Sequence, residues 1–248
     1  MRRFFVEPHN ILGASAFLDG QEARHISTVL RLGVGATITL FDGSGSYYEA
    51  LITKITPSRV ETKIISITPY IDNGETNRPA LHLAISLLKG KKMDFIIQKA
   101  TELGLESVRP FRSLFCAGHD QAANRVPRWQ KIALEACKQC NRPRPPVIHE
   151  ITGYKELIMT SKAENHNLKL IFWEEPGGET LSQALAAGKE IHSAILVIGP
   201  EGGFSSDEVA EAVAAGYRPM TLGRQILRSE TAVIAAAAIL QYQLGNLS

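Results

Sequence analysis

Cysteine is scarce in this chain, three residues in 248. That number is odd and too small for a disulfide framework. No apolar run reaches the length of about 20 residues that a membrane helix needs, the alanine-rich stretch near the C-terminus included. Two arginines at the N-terminus are followed by no apolar segment of signal-peptide type, so the cytoplasm is the expected location and no membrane partner is expected. Phosphate-cradling motifs are also missing. A G-x-x-x-x-G-K-[ST] loop would need Ser or Thr where Lys91 is followed by Lys92, and Gly199, Gly202 and Gly203 do not fit G-x-G-x-x-G. There is no internal repeat and no low-complexity segment. An apolar fraction of 44% and a charged fraction of 21% are those of an ordinary globular protein, long enough for two modest domains.

The net charge of +2 hides a strong asymmetry. Residues 1–72 carry seven Lys/Arg and seven Asp/Glu, and residues 78–144 carry thirteen Lys/Arg against five acids. Residues 145–216 carry four against eleven. A basic block of this density is an electrostatic footprint for a polyanion, and it does not separate RNA from DNA.

The first seventy residues read as β-rich. Segment 37–41 alternates, 42–46 is a hairpin loop rich in glycine and serine, and strands follow at 47–55 and 60–67. One helix over 22–30 interrupts early, with Asp19 as its candidate cap. Short strands with little helix predict a small barrel. The polar turn-forming stretch 70–79 is the expected linker, which places domains at 1–72 and 80–248 with 73–79 between them. From Ala80 onward strands and helices alternate. Strands are expected at 81–88, 108–111, 168–173, 194–198 and 219–222. Helices are expected at 92–103, 128–141, 181–187 and 205–215, with a last one capped by Ser229 or Thr231. This order predicts a parallel sheet covered on both faces.

Two segments carry the chemistry. Ile198-Gly-Pro-Glu-Gly-Gly-Phe204 and Leu222-Gly-Arg-Gln-Ile-Leu-Arg-Ser-Glu-Thr-Ala232 each follow an expected strand and open an expected helix. Loops at strand carboxyl ends are where open α/β sheets bind ligands. Glu201 would repel a polyphosphate, so glycines with an acid suit a neutral or cationic ligand held by backbone groups. Glu201, Glu230 and Arg228 are the charged candidates for catalysis.

These two segments resemble the RNA methyltransferases of the SPOUT class, whose α/β sheet is parallel and knotted. Within that class the chain resembles the ribosomal small subunit RNA methyltransferase E family, which acts on N3 of a uridine in 16S ribosomal RNA. Residues 89–104, beginning Lys89-Gly-Lys-Lys-Met-Asp, are similar to the family's first long motif. Glu135-Ala-Cys-Lys-Gln-Cys-Asn-Arg142 is similar to its EA-x-x-Q-x-x-R helix, and Arg24-His-Ile-Ser-Thr-Val-Leu-Arg31 to an N-terminal motif. The family reads LG-x-R-I-L-R where Gln225 stands here beside Arg224.

The resemblance implies a SPOUT-type knotted sheet preceded by a PUA-like barrel, S-adenosylmethionine as donor, and a homodimer acting on 16S ribosomal RNA in the small subunit. It implies a donor site at Trp173, Gly199, Pro200, Glu201, Gly202, Gly203, Leu222, Gly223, Ile226, Leu227 and Arg228. It implies RNA contacts at Arg24, His25, Arg31, Lys89, Lys92, Arg112, Gln139 and Arg142. Arg109, Arg125, Arg128, Lys131 and Lys138 read as further phosphate contacts. Cys116, His119, Cys137 and Cys140 have a zinc-like spacing, but Cys137 and Cys140 fall inside an expected helix, and no metal is expected. A non-catalytic RNA-binding assembly factor and a ribose 2′-O-methyltransferase remain as alternatives. Segment 233–240, apolar on nearly every side, is expected to meet a partner subunit.

Overall fold

The computed structural model describes residues 3–69, 78–116, 125–164, 166–174, 179–185 and 190–247. His119, Glu175, the linker residues 73–77 and helix positions 186–187 lie outside them. The chain divides into two compact units. One is Met1–Gly74 with Cys137–Pro145, and the other is Glu75–Ala136 with Pro146–Ser248.

The first unit is a six-stranded sheet in the order β1-β4-β5-β6-β3-β2. Its strands are β1 (Arg3–Phe5), β2 (Ile11–Leu12), β3 (Ser15–Asp19), β4 (Thr37–Phe41), β5 (Ser46–Ile55) and β6 (Arg59–Pro69). Neighbours are antiparallel except for β1 beside β4. Bulges between Glu49 and Ala50 and between Ile52 and Lys54 interrupt the long β5–β6 ladder and increase its local twist. The sheet encloses one core of Phe4, Val6, Leu18, Ile26, Ile38, Leu40, Ile52 and Val60. The expected early helix starts sooner, as α1 (Gly20–Arg24), and widens into a π-turn over His25–Val29. Asp19 occupies the cap position, but its side chain makes no capping bond. Residues 137–145 belong to this unit through Tyr47, whose hydroxyl donates to the Asn141 carbonyl at 2.6 Å, and through an ion pair of Lys138 with Glu22.

The second unit is a parallel sheet in the order β10-β8-β7-β13-β11-β14-β12, with β9 also on β8. The strands are β7 (Ala80–Ser86), β8 (Ser107–Arg112), β9 (Val147–Ile148), β10 (Thr152–Gly153), β11 (Leu168–Phe172), β12 (Glu179–Thr180), β13 (Ser193–Ile198) and β14 (Arg218–Thr221). The helices are α2 (Lys92–Glu102), α3 (Arg125–Cys140), α4 (Tyr154–Ala163), α5 (Leu181–Leu185), α6 (Ser206–Ala214) and α7 (Ser229–Gln243). The central strands are apolar on both faces, as burial between two helix layers requires. Leu81, Leu83, Ile85, Leu170, Leu196 and Ile198 pack with α2, α3, α5 and α7. Ala84, Ile171, Ile195 and Val197 face Tyr154, Leu157 and Ile158 of α4 and Val209 and Ala212 of α6. Each fully buried Leu or Ile contributes about 1.5–3 kcal/mol. Helix α4 is not among the expected elements, and neither are the short strands β1–β3, β9, β10 and β12. No helix among the described residues is long and apolar enough to cross a membrane.

At the amino-terminal edge of this sheet lies a buried polar network. His82 Nδ1 meets Ser107 Oγ at 2.8 Å, His166 Nδ1 meets Ser193 Oγ at 2.7 Å, and the two imidazoles lie 4.8 Å apart. Glu164 joins them, accepting from Arg109 Nη2 at 2.7 Å and lying 2.8 Å from His166 Nε2. Arg109 is therefore an ion-pair partner inside the fold rather than a phosphate contact. Burial, then the charges of His166 and Arg109, pushes His82 down to about 4. Burial also lowers His166 against the pull of Glu164, and lowers His149 beside Arg109. The unfolded chain, with ordinary histidines near 6.5, thus binds more protons than the folded one below that pH. Stability is expected to be full above about pH 6.5 and to fall steadily toward pH 4. Thermal melting at pH 7.5 and pH 5 checks this, and His82→Asn should flatten the dependence. A melting temperature that did not change between those values would contradict it.

Candidate functional site

Strands β11, β13 and β14 end level with one another. Phe172 is in register with Ile198 on one side and Met220 on the other, and Ile198 with Ile85 of β7. All these chains leave the sheet at the same edge, and their loops border a cavity that opens to solvent. The three strand-end residues Phe172, Ile198 and Met220 line it. Gly199, Pro200, Gly203 and Phe204 contribute from the loop after β13. Residues 221–227 contribute from the loop after β14, Trp173 and Glu174 from the exit of β11, and Ser229 and Ala232 from the start of α7.

The loop after β13 is held from both ends. Gly203 has φ +70°, a backbone conformation that a side chain would strain, and donates its amide to the Pro200 carbonyl at 3.0 Å. A Cβ there would stand 2.7 Å from Glu174 Oε1. Ser205 and Glu208 then form a capping box on α6. Ser205 Oγ accepts from the Glu208 amide at 3.2 Å, and Glu208 Oε2 accepts from the Ser205 amide at 3.0 Å. The second Glu208 oxygen accepts from the Leu114 amide at 2.9 Å, which ties the loop after β8 to the same helix start. The S-x-x-E spacing of Ser205 and Glu208 is the sequence signal that would have revealed this anchor.

The cavity gathers Trp173, Gly199, Pro200, Gly203, Leu222, Gly223, Ile226 and Leu227. Three residues expected with them stand outside its lining. Gly202 faces protein rather than open space, because its Cβ would meet Phe115 Cβ at 2.9 Å. Glu201 turns to Lys92, whose Nζ donates to Oε1 at 2.9 Å. Burial opposes the ionised form of Glu201, but Lys92 and the Lys89 amide together hold its carboxyl below the usual range. Arg228 is the N-cap residue of α7. It is exposed, and its guanidinium has no hydrogen bond or ion pair among the described residues. Ser229, expected as a cap, is instead the first helical residue and is buried. Glu230 follows in the first turn, with Oε2 buried and accepting no hydrogen bond, 3.5 Å from Lys92 Nζ. Sequence reading missed Phe172, Ile198 and Met220. Their signal is position, since each lies at or next to the carboxyl end of a central strand.

The RNA candidates fall into two groups. Arg24, His25, Arg31 and Gln139 are exposed and Arg142 is half-buried, all in the unit that contains the six-stranded sheet. Lys89 is exposed and Arg112 half-buried in the other unit, at the carboxyl edge of the parallel sheet. Lys92 is not free for phosphate, since two carboxylates engage it. Arg128 pairs with Asp94, and Lys138 with Glu22, so both are also partly neutralised. Cys137 is packed in the core, and burial pushes its thiol up to about 12.

Gly202→Val is expected to strain the loop through Phe115 rather than to fill the cavity. The denaturant midpoint should fall, and Phe115→Ala in the same chain should restore part of the loss. A loss that the second substitution leaves unchanged would place the strain elsewhere.

The RNA methyltransferase domain model matches residues 75–241, and the RNA methyltransferase PUA domain model matches residues 18–65. Ribosomal RNA small subunit methyltransferase E of Buchnera aphidicola is 30% identical to this chain, over 98% of it and 94% of the relative. The Bacillus subtilis protein of that name is 30% identical, over 98% of this chain and 97% of the relative. Among solved structures, the enzyme of that name from Neisseria gonorrhoeae, bound to S-adenosyl methionine, superposes with a TM-score of 0.83. It is 33% identical, over 98% of this chain and 97% of that one. The parallel sheet between two helix layers is of the knotted SPOUT type, and the N-terminal sheet is PUA-like. With a domain model matched over residues 75–241 and relatives alike over nearly its whole length, the chain belongs to the RNA methyltransferase family.

Proposed function

We propose that this protein transfers a methyl group from S-adenosylmethionine to N3 of a uridine in 16S ribosomal RNA. In this reading it acts in the cytoplasm on the assembled small subunit, as a homodimer. The observation that carries the proposal is the cavity at the strand ends. It is apolar at the strand ends, glycine-bordered, and built without any phosphate-binding motif. Its lining offers one carboxylate, Glu174, and one guanidinium, Arg224. That pair suits a ligand carrying both a cationic and an anionic group, as S-adenosylmethionine does, and Trp173 with the aliphatic residues suits its adenine. When bound, the donor supplies a sulfonium-activated methyl group that needs no metal to be electrophilic.

The protein's work is alignment and charge handling. Arg228, beside Leu227 of the cavity, is free to stabilise negative charge on a uracil oxygen as N3 loses its proton. Of the two acids, Glu201 is committed to Lys92 and held low, which makes it a poor base. Glu230 lies farther from Lys92, at 3.5 Å against 2.9 Å for Glu201, and its partly exposed carboxylate is the acceptor in this scheme. N3 lies on the Watson–Crick edge, so the uridine must be unpaired or flipped out. We assign the grip on the surrounding RNA to residues 1–72 with Gln139 and Arg142, and to Lys89 and Arg112. Residues 73–79 are then a linker to the transfer domain at 80–248.

The homodimer is supported by α7. Its inner positions Val233, Ala236, Ala237 and Leu240 are buried, whereas Ile239 and Tyr242 are 43% and 68% exposed and Ile234, Ala235 and Ala238 are half-buried. A stripe of this kind on an otherwise buried helix calls for a cover. Light scattering at micromolar concentration should give twice the chain mass, and a monomeric mass would rule the dimer out.

The reaction is tested by incubating small subunits with labelled donor and analysing the nucleosides. 3-Methyluridine is expected. A 2′-O-methylated nucleoside would establish the ribose reaction, and no transfer with intact RNA binding would establish a non-catalytic factor. Arg228→Ala should lower kcat on the order of a hundredfold, as loss of an oxyanion donor does, with little change in RNA affinity. Normal turnover with weaker RNA binding would make Arg228 a phosphate contact.

A further inference from the structure

Lys92 opens α2, and its ammonium stands between two carboxylates that reach it from separate parts of the chain. Nζ donates to Glu201 Oε1 at 2.9 Å and lies 3.5 Å from Glu230 Oε2. Glu201 belongs to the glycine loop after β13, and Glu230 to the first turn of α7. Ser229, the residue before Glu230, lines the cavity. The Lys89 amide adds a 3.4 Å bond to the same Glu201 oxygen. Asp94, the acid in the first turn of α2, is engaged by Arg128 and does not compete for Lys92. The charged groups facing Lys92 are thus Glu201 and Glu230, and the cation facing both of them is Lys92.

Two carboxylates drawn to one nitrogen would repel each other without it, and a like charge at that range disfavours ionising both. A surface lysine held for phosphate would stand clear in solvent. This one is less than one-third exposed and is occupied on two sides. Lys92 is also the one group in this cluster that joins three elements bearing on the reaction: the start of α2, the glycine loop and the start of α7.

We propose that Lys92 is a positioning residue for methyl transfer. Its cation ties the glycine loop to the first turn of α7, balances the charges of Glu201 and Glu230, and holds the Glu230 carboxylate in place to receive the uridine N3 proton. In that step the N–H bond breaks, an O–H bond forms on Glu230, and the electron pair stays on nitrogen. The inference rests on the reading of Glu230 as acceptor given above. It assigns to Lys92 a role in kcat that an RNA phosphate contact would not have.

The experiment compares wild type, Lys92→Met, Lys92→Arg and Lys92→Met/Glu201→Gln as full-length proteins, each checked for folding by melting and for donor binding by calorimetry. In Lys92→Met the acid limb of kcat should move up by about one pH unit, roughly a tenfold loss of turnover on the acid side. KM for the subunit should change less. Lys92→Arg should restore the limb, because the positive charge returns. Removing the Glu201 charge in the double variant should move the limb partly back, because the repulsion is gone. An unshifted limb with a raised KM and a flatter salt dependence would show a phosphate contact and overturn the proposal.

A direct readout does not depend on turnover. The carboxyl carbon of Glu201, followed by NMR with labelled glutamate, should titrate at higher pH in Lys92→Met and return in Lys92→Arg. If it titrates unchanged, Lys92 does not control the pair and the inference fails, whatever the enzyme methylates. If it shifts while wild type yields no 3-methyluridine, the clamp stands as an electrostatic fact. The proposed function then falls, and with it the positioning role for that reaction. Should Lys92→Met fail to fold, Lys92→Gln tests the same charge with a more polar side chain.

Discussion

Parallel strands buried on both faces have no choice about where chemistry can occur. The apolar side chains of β7, β11 and β13 meet a helix layer on one face or the other, so the middles of these strands contribute mainly packing. Polar function is displaced to their ends. The two ends of this sheet have diverged accordingly. The amino-terminal edge holds His82, His166, Glu164 and Arg109, closed upon one another by hydrogen bonds and ion pairs. The carboxyl edge holds glycine loops, a cavity and an arginine without a partner among the described residues. One end is largely paired within the protein, although Arg109 Nε stays buried without a partner, whereas the other is left open to a ligand.

The same constraint explains why the cavity can be rigid although loops build it. The loop after β13 begins at a fully packed strand and ends three residues past Gly202 in a capping box, whose glutamate also fixes the loop after β8. The loop after β14 ends in α7, a helix whose core positions Val233, Ala236, Ala237 and Leu240 have no exposure. Each loop is short relative to its anchors. Binding groups can then be held in place before a ligand arrives, which lowers the ordering cost of binding.

The layout of the parallel sheet was legible because its causes are local. Apolar runs such as Ala194–Val197 and the helical periodicity of 92–102 follow directly from burial on two faces. The cavity was legible from its glycine loops. Helix α4 was missed because Tyr154-Lys-Glu-Leu-Ile-Met-Thr-Ser-Lys-Ala163 buries only a narrow stripe, Tyr154, Leu157, Ile158 and Ser161, and lacks a capping side chain. The two-residue strands β9, β10 and β12 exist only because a neighbour pairs with them, so no local pattern marks them. The pairing of Lys92 was hidden for a related reason. A lysine in a basic segment looks like a phosphate contact until folding brings in Glu201 and Glu230 from more than a hundred residues away. The membership of 137–145 in the first unit was equally hidden, since it depends on Tyr47 and Glu22.

Gln225 is the departure that the geometry makes intelligible. It lines the cavity beside Arg224, in a loop that carries a second arginine at Arg228. A third guanidinium at that position would place three like charges within five residues at the mouth of a site read here as holding a sulfonium. Long-range attraction for RNA is already supplied by the basic segment 78–144, so a cation at 225 would add little to association. A neutral amide keeps hydrogen-bonding capacity at the cavity without that repulsion. The arginine that remains unpaired, Arg228, sits at the start of α7, next to the turn that carries Glu230. The positive end of that helix favours the glutamate there, and it also favours any anion that forms in front of it. Acid and arginine are thus mounted together at one helix terminus, the start of α7.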